Sequence, residues 1–154
     1  MKPRMISQTA QYAIRAMVAI ASEDGPILAR QIAKATAIPR PYLSTVLRLA
    51  VRAGMLHSSR GRGGGFVLAR PAEQLTLFDI VAAFDDVGQG PRCPFGLPQC
   101  TDAQACPMHE VWKPVSQGFR NMLMKTALSE IVGGNGPSRG GRKSRMPRRS
   151  GIQR

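Results

Sequence analysis

Apolar residues recur at three- and four-residue steps in five stretches of this chain, with glycine and proline punctuating the gaps. That period predicts amphipathic helices. In the first stretch, Ser7 to Ala21, Tyr12, Ala13, Ala16, Met17 and Ile20 form one stripe. Gly25-Pro26 ends it. A second, short helix is marked by Leu28, Ile32 and Ala35, and a turn follows at Ala37-Ile38-Pro39. A third helix is expected to turn Tyr42, Leu43, Val46, Leu47 and Ala50 inward and Arg40, Ser44, Thr45 and Arg48 outward. Gly54 suits its left-handed C-terminal cap.

The period then changes. Met55 to Ser59 and Phe66 to Leu68 read as two short strands around Arg60-Gly-Arg62-Gly-Gly-Gly65. Two helices about a tight turn, followed by a glycine-rich hairpin, match a winged helix-turn-helix. The glycines do not cradle a nucleotide. A P-loop needs Gly-Lys-Ser/Thr opening a helix, and the dinucleotide fingerprint needs a glycine where Phe66 stands. Thr76 to Asp79 fits a capping box, and Leu77, Ile80, Val81 and Phe84 give a fourth helix ending near Asp85-Asp86. The fifth stretch carries Val111, Trp112, Val115, Phe119, Met122 and Leu123. Pro114 places its regular start near Trp112. The winged unit already holds a core, so this face is assigned to a dimer interface. Thr126 is expected to cap a last turn through Ile131-Val132. The expected class is therefore mainly α with a small β-hairpin wing and a long C-terminal dimerisation helix.

Charge adds a partner. The formal net charge is +13. Residues 1–70 hold 11 basic residues against Glu23 and Asp24, a net of +9. Residues 71–132 hold 4 against 7 acids, a net of −3, and residues 133–154 hold 7 basic residues and no acid. Positive charge that coincides with the winged motif points to DNA. Arg60 and Arg62 suit a narrow minor groove or phosphates, as does Arg40. Ser44, Thr45 and Arg48 are the candidates for base contacts, with Tyr42 beside them. Residues 133–154 are mostly Gly, Ser, Pro, Arg and Lys, with Met146 and Ile152 the only large apolar residues, a composition that reads as a disordered basic tail. No apolar run reaches the roughly 18 residues of a membrane span, and no signal-peptide core is present. The expected location is cytoplasmic.

Candidate chemistry sits in one loop, Cys93 to His109, which holds all three cysteines and one of the two histidines. Six residues separate Cys93 from Cys100, five separate Cys100 from Cys106, and two separate Cys106 from His109. Thiolates and imidazole hold iron–sulfur clusters or zinc. In a reducing compartment, three cysteines are metal ligands or redox groups sooner than a disulfide framework. A Cys₃His set is also a closed zinc site, and a reversible thiol switch is a third chemistry; spacing does not separate them. Asp102 reads as a turn residue with an oxygen to offer, and His57, at the wing base, as an exposed or phosphate-contacting residue. An enzyme with a catalytic cysteine would need a base and an orienting group, and both histidines have other readings. The resulting division is 1–70 for DNA binding, 71–92 as connecting helix and linker, 93–109 as cluster loop, 110–132 for dimerisation and 133–154 as tail.

On these residues the chain resembles the IscR/NsrR family of bacterial winged-helix transcription regulators (the Rrf-two family), from about Met5 to Val132. The carriers are Tyr12-Ala13 in the opening helix, Pro39 to Leu43, the Arg60-Gly-Arg-Gly-Gly-Gly-Phe66 wing, and the three-cysteine loop followed by a helix with Trp112. The resemblance implies a homodimer whose C-terminal helices cross, with a cluster near the interface and operator DNA as partner. IscR-like members complete a 2Fe–2S site with a histidine at the place of His109. NsrR-like members with a 4Fe–4S cluster can take a carboxylate from the partner's first helix, and Gln11 is the matching residue here. An amide at that place favours 2Fe–2S over 4Fe–4S. The implied function is a regulator, a repressor, whose operator binding follows iron, redox state or nitric oxide through the cluster.

Overall fold

The computed structural model describes residues 5–87, 93, 96 and 101–132. The expected tail and Cys100 lie outside them. Helix α1 spans Gln8–Ala21 and starts where Ser7 accepts a hydrogen bond from the Ala10 N–H at 3.0 Å. Its stripe is Ala10, Ala13, Ala16, Met17 and Ile20, all buried, with Tyr12 half-buried at its edge. Small alanines let neighbouring elements approach α1 closely, and it is the central rod of the fold. Helices α2 (Ala29–Thr36) and α3 (Arg40–Arg52) pack against it.

The turn between α2 and α3 is formed by Ala37 in the left-handed region, φ 52°. Pro39 and Pro41 flank the start of α3, where a missing N–H costs no helical bond. Leu43, Val46, Leu47 and Ala50 are buried as expected. One inward assignment fails. Tyr42 is 59 % exposed, because α3 rotates its Leu43 edge into the core and leaves Tyr42 at the rim. Ala35 is exposed, and Thr36 takes the buried place with its hydroxyl donating to the Ile32 carbonyl at 2.7 Å.

Gly54 (φ 71°) ends α3. Strands β1 (Leu56–Ser59) and β2 (Gly65–Leu68) pair antiparallel, with Leu56 opposite Leu68 and Ser59 opposite Gly65. A short 3₁₀ turn, Ala72–Gln74, leads to α4 (Leu77–Ala82), which carries the expected reciprocal cap: Asp79 N–H donates to Thr76 Oγ1 at 3.1 Å and Thr76 N–H to Asp79 Oδ2 at 3.0 Å. Helix α4 stops before Asp85. That carboxylate instead accepts from the Ser7 N–H at 2.6 Å, which ties the start of α1 to the end of α4.

Helix α5 runs His109–Lys125, three residues earlier than the start expected from Pro114. The Met108 carbonyl accepts from both Val111 and Trp112, so the first turn is complete. Pro114 forfeits only the bond to the carbonyl of Glu110, an exposed residue. Thr126 does not cap the last helix. Its hydroxyl donates back to Met122 at 2.8 Å, and the next helix, α6 (Leu128–Val132), is opened by Glu130 accepting from the Ala127 N–H. Leu128 is fully buried in the main core with Met17, Ile32, Leu43, Met55, Leu75 and Ile80. A smaller cluster of Ala10, Val81, Val87 and Leu123 seats α5 on α4 and α1. Among the described residues no helix is long and apolar enough to cross a membrane.

Candidate functional site

Two sets of residues carry the chemistry. The first lies on α3 and the hairpin. Arg40, Ser44 and Arg48 follow one another at four-residue steps and are exposed, as is Thr45, whose hydroxyl donates to the Pro41 carbonyl at 3.3 Å. Tyr42 is exposed beside them, with its ring 6.0 Å from that of Tyr12. Tyr12 in turn accepts from Gln8 Nε2 at 2.7 Å and lies under the Arg15 guanidinium, which also bonds the Thr36 carbonyl at the end of α2. Sequence periodicity had no means of finding this chain of contacts, because it joins side chains of α1 and α3 to a backbone carbonyl of α2.

The wing follows directly. Gly61 and Gly63 hold φ of 90° and 74°, values that L side chains rarely adopt. Arg60 and Arg62 stand exposed on this turn. His57 is exposed on β1. The result is a helix with a small polar and basic face, next to a glycine-rich turn with two guanidinium groups. Such a surface suits the phosphates and base edges of a duplex.

The second set is the loop before α5. Cys93 is buried and Cys106 half-buried. The Cys93 carbonyl accepts from Gly96 at 2.9 Å, and the Cys106 carbonyl accepts from the His109 N–H at 2.9 Å, so each of these cysteines sits in a tight turn. His109 is only 3 % exposed. Its Nε2 lies 2.7 Å from Asp102 Oδ1, which also accepts from Lys113 Nζ at 2.6 Å. Lys113, then His109, holds the Asp102 carboxyl below the usual carboxylate range. Asp102, expected as a turn residue, therefore joins the loop to α5. Gln11, half-buried on α1, donates to the Ile6 carbonyl at 3.4 Å.

Among the described residues no three histidine, cysteine or acidic side chains are grouped closely enough to hold a metal ion. The donor chemistry nevertheless fits a cluster. Trp112, one turn after His109, has a buried indole N–H that meets no acceptor among the described residues. An unpaired buried donor is costly, and a thiolate or sulfide sulfur is the kind of acceptor that would satisfy it.

Residues 6–134 match the family described as Rrf2, iron-dependent transcriptional regulator. The chain belongs to the Rrf2 family. Relatives include the HTH-type transcriptional regulator IscR of Xenorhabdus nematophila, 29 % identical over 129 residues that cover 82 % of this chain and 78 % of the relative. The IscR of Cronobacter sakazakii is 30 % identical over 129 residues, covering 82 % and 79 %. In three dimensions the chain is similar to the T. potens IscR, with a TM-score of 0.66 and 22 % identity over 82 % of this chain and 85 % of that one. It is also similar to CymR (YrzC), the global cysteine regulator of B. subtilis, with a TM-score of 0.68 and 22 % identity over 82 % and 95 %. The Rrf2 chain is thus a DNA-binding transcription regulator of the winged-helix class, and its relatives are regulators, not enzymes.

Proposed function

We propose that the protein is a homodimeric repressor whose operator binding is set by an iron–sulfur cluster held by Cys93, Cys100, Cys106 and His109. The observation that carries this reading is the joint placement of Cys93 and His109, both buried, with the Trp112 indole N–H, which meets no acceptor among the described residues, at the root of α5. When bound, the cluster supplies a redox-active, nitric-oxide-reactive centre to the loop. IscR-type relatives support an iron–sulfur cofactor, and the amide of Gln11, in place of a carboxylate, favours 2Fe–2S over 4Fe–4S.

The chain's own residues provide the coupling. Ordering of the loop fixes the root of α5. Helix α5 seats on α4 and α1 through Leu123, and α1 packs against α3. The uncovered face of α5 supports the dimer: Val111, Val115 and Met122 are 67, 48 and 44 % exposed and lie at helical spacing with Gly118. A twofold pair would set two recognition helices roughly 34–36 Å apart, one turn of the duplex. Ser44, Thr45 and Arg48 would read bases, with Tyr42 beside them, and Arg40, Arg60 and Arg62 would hold phosphates or the minor groove. Residues 1–70 serve DNA binding, 93–109 the cofactor and 110–132 the dimer.

The test is iron, sulfide and zinc content with an absorption spectrum, on protein purified without oxygen. Iron with equal sulfide and visible charge-transfer bands, lost in Cys106→Ala, is the expected result. Stoichiometric zinc without sulfide, persisting after anaerobic reconstitution, would make the loop a zinc site. Neither metal, with reversible thiol oxidation altering DNA binding, would make it a thiol switch.

A further inference from the structure

Gln8, Tyr12 and Arg15 lie along one edge of α1, at steps of four and three residues, outside the buried stripe. The Tyr12 hydroxyl accepts from Gln8 Nε2 at 2.7 Å. The Arg15 guanidinium lies 5.8 Å from the centre of the Tyr12 ring and donates to the Thr36 carbonyl at the end of α2. Tyr12 is thereby held at its polar tip and across its face. Gln8 and Arg15 are exposed, so these contacts add modestly to stability, and what they fix is the direction of one ring. That ring meets Tyr42 of α3, with centroids 6.0 Å apart and planes tilted by 59°, an arrangement that aromatic quadrupoles favour. Tyr42 is 59 % exposed and stands one turn before the exposed Thr45. An exposed tyrosine without a neighbour exchanges between staggered rotamers. Against Tyr12 its ring is restricted before DNA arrives, which lowers the ordering cost of binding.

We propose that Tyr12 is a positioning residue for DNA recognition: its ring, fixed by Gln8 and Arg15, holds the exposed Tyr42 ring in one orientation beside Thr45, so that α3 meets its preferred base sequence with Tyr42 already ordered. This rests on α3 being the helix that reads bases. It goes beyond that reading in placing a specificity determinant on α1, where Tyr12 acts through Tyr42 and not on the duplex. A tyrosine held in this way offers its ring to a thymine methyl or its hydroxyl to a base edge or phosphate oxygen.

The two tyrosines of the chain are these two, so tyrosine-selective isotope labelling isolates the pair. In the full-length protein without DNA, the two rings should show nuclear Overhauser contacts, and added operator should shift the Tyr42 ring resonances. Affinities for operator and for random DNA, measured at one salt concentration, then report the function. Tyr12→Leu keeps an apolar side chain beside the main core. It should weaken operator binding about threefold to tenfold, the scale of one aromatic pair, and leave random-DNA binding unchanged. Tyr12→Phe retains the ring and should keep most of the operator preference. In a Tyr42→Ala background, Tyr12→Leu should cost nothing further, because the ring it positions is gone. Absent ring contacts, a Tyr12→Phe protein as weak as Tyr12→Leu, equal losses on operator and random DNA, or a Tyr12→Leu cost that persists in the Tyr42→Ala background would each overturn the proposal. In those cases Thr45→Ala and Arg48→Ala proteins that still lose operator preference leave α3 as the recognition helix. If neither they nor Tyr42→Ala alter that preference, the recognition reading itself fails and takes the role of Tyr12 with it.

Discussion

Ile27 and Phe66 exchange both of their backbone hydrogen bonds across an isolated antiparallel bridge, Ile27 N–H to Phe66 at 3.1 Å and Phe66 N–H to Ile27 at 2.9 Å. The bridge fastens the wing to the segment between α1 and α2. It works only because the preceding residue is Gly65. A Cβ there would lie 2.7 Å from the Ile27 carbonyl oxygen, and the backbone holds φ 150°. Neither obstacle is a flexible side chain. Gly65→Ala should therefore lower stability by about 1–3 kcal/mol, read by urea unfolding, and weaken operator binding further by detaching the wing. Gly25→Ala is the control: its Cβ meets nothing within 4 Å, so its effect should stay within about 0.5 kcal/mol. Equal stability of the two variants would show that the bridge does not hold the wing.

Ala37 presents the converse case. It is exposed and holds φ 52°, although it has a Cβ. The left-handed region costs an L residue roughly 1–2 kcal/mol, and glycine returns about 0.4–1 kcal/mol through its freer unfolded chain. Ala37→Gly should thus stabilise the protein by about 0.5–1 kcal/mol, seen as a rise in the urea midpoint at constant slope. A loss of stability would mean that the turn needs the methyl group.

The DNA face separates into two kinds of contact with different signatures. Arg62→Ala removes a guanidinium from a wing turn whose glycines hold positive φ. It should weaken binding to operator and random DNA alike and reduce the salt slope of log K by about 0.9, the value of one phosphate. Thr45→Ala leaves the charge unchanged and should cost about 1–3 kcal/mol on the preferred sequence only. Mobility shifts at several salt concentrations distinguish the two. An unchanged affinity for Arg62→Ala would remove the wing from the interface.

How much of this was legible beforehand follows from range. Helices α1 and α3, the hairpin and the Thr76–Asp79 cap depend on residues a few positions apart, and their spacing in the sequence predicts them. The exposure of Tyr42 does not follow from spacing, since 3.6-residue periodicity defines a stripe but not which edge of it meets the core. Nor does spacing show that in α2 Ala35 is exposed while Thr36, whose hydroxyl bonds its own helix carbonyl, is buried. Asp102 was legible as a loop acid, but its pairing with His109 and Lys113 spans 7 and 11 residues through an irregular turn. Ile27 with Phe66 spans a longer separation still, and only the glycine before Phe66 hinted at a close approach.

The stripe on α5 divides along its length, and that division decides the last prediction. Leu123 is 2 % exposed and packs with Ala10, Val81 and Val87, so it belongs to the chain's own core. Val115, 48 % exposed, contributes to neither core cluster. Leu123→Ala should cost about 2–5 kcal/mol, whether or not a partner is present. Val115→Glu places a charge on the uncovered stripe, where burial in a twofold interface would set it against its own copy. It should halve the mass measured by light scattering, leave the helical circular dichroism of the monomer intact, and weaken binding to a two-half-site operator far more than to a single half-site. A Val115→Glu protein that keeps the wild-type mass would move the dimer interface off this face of α5.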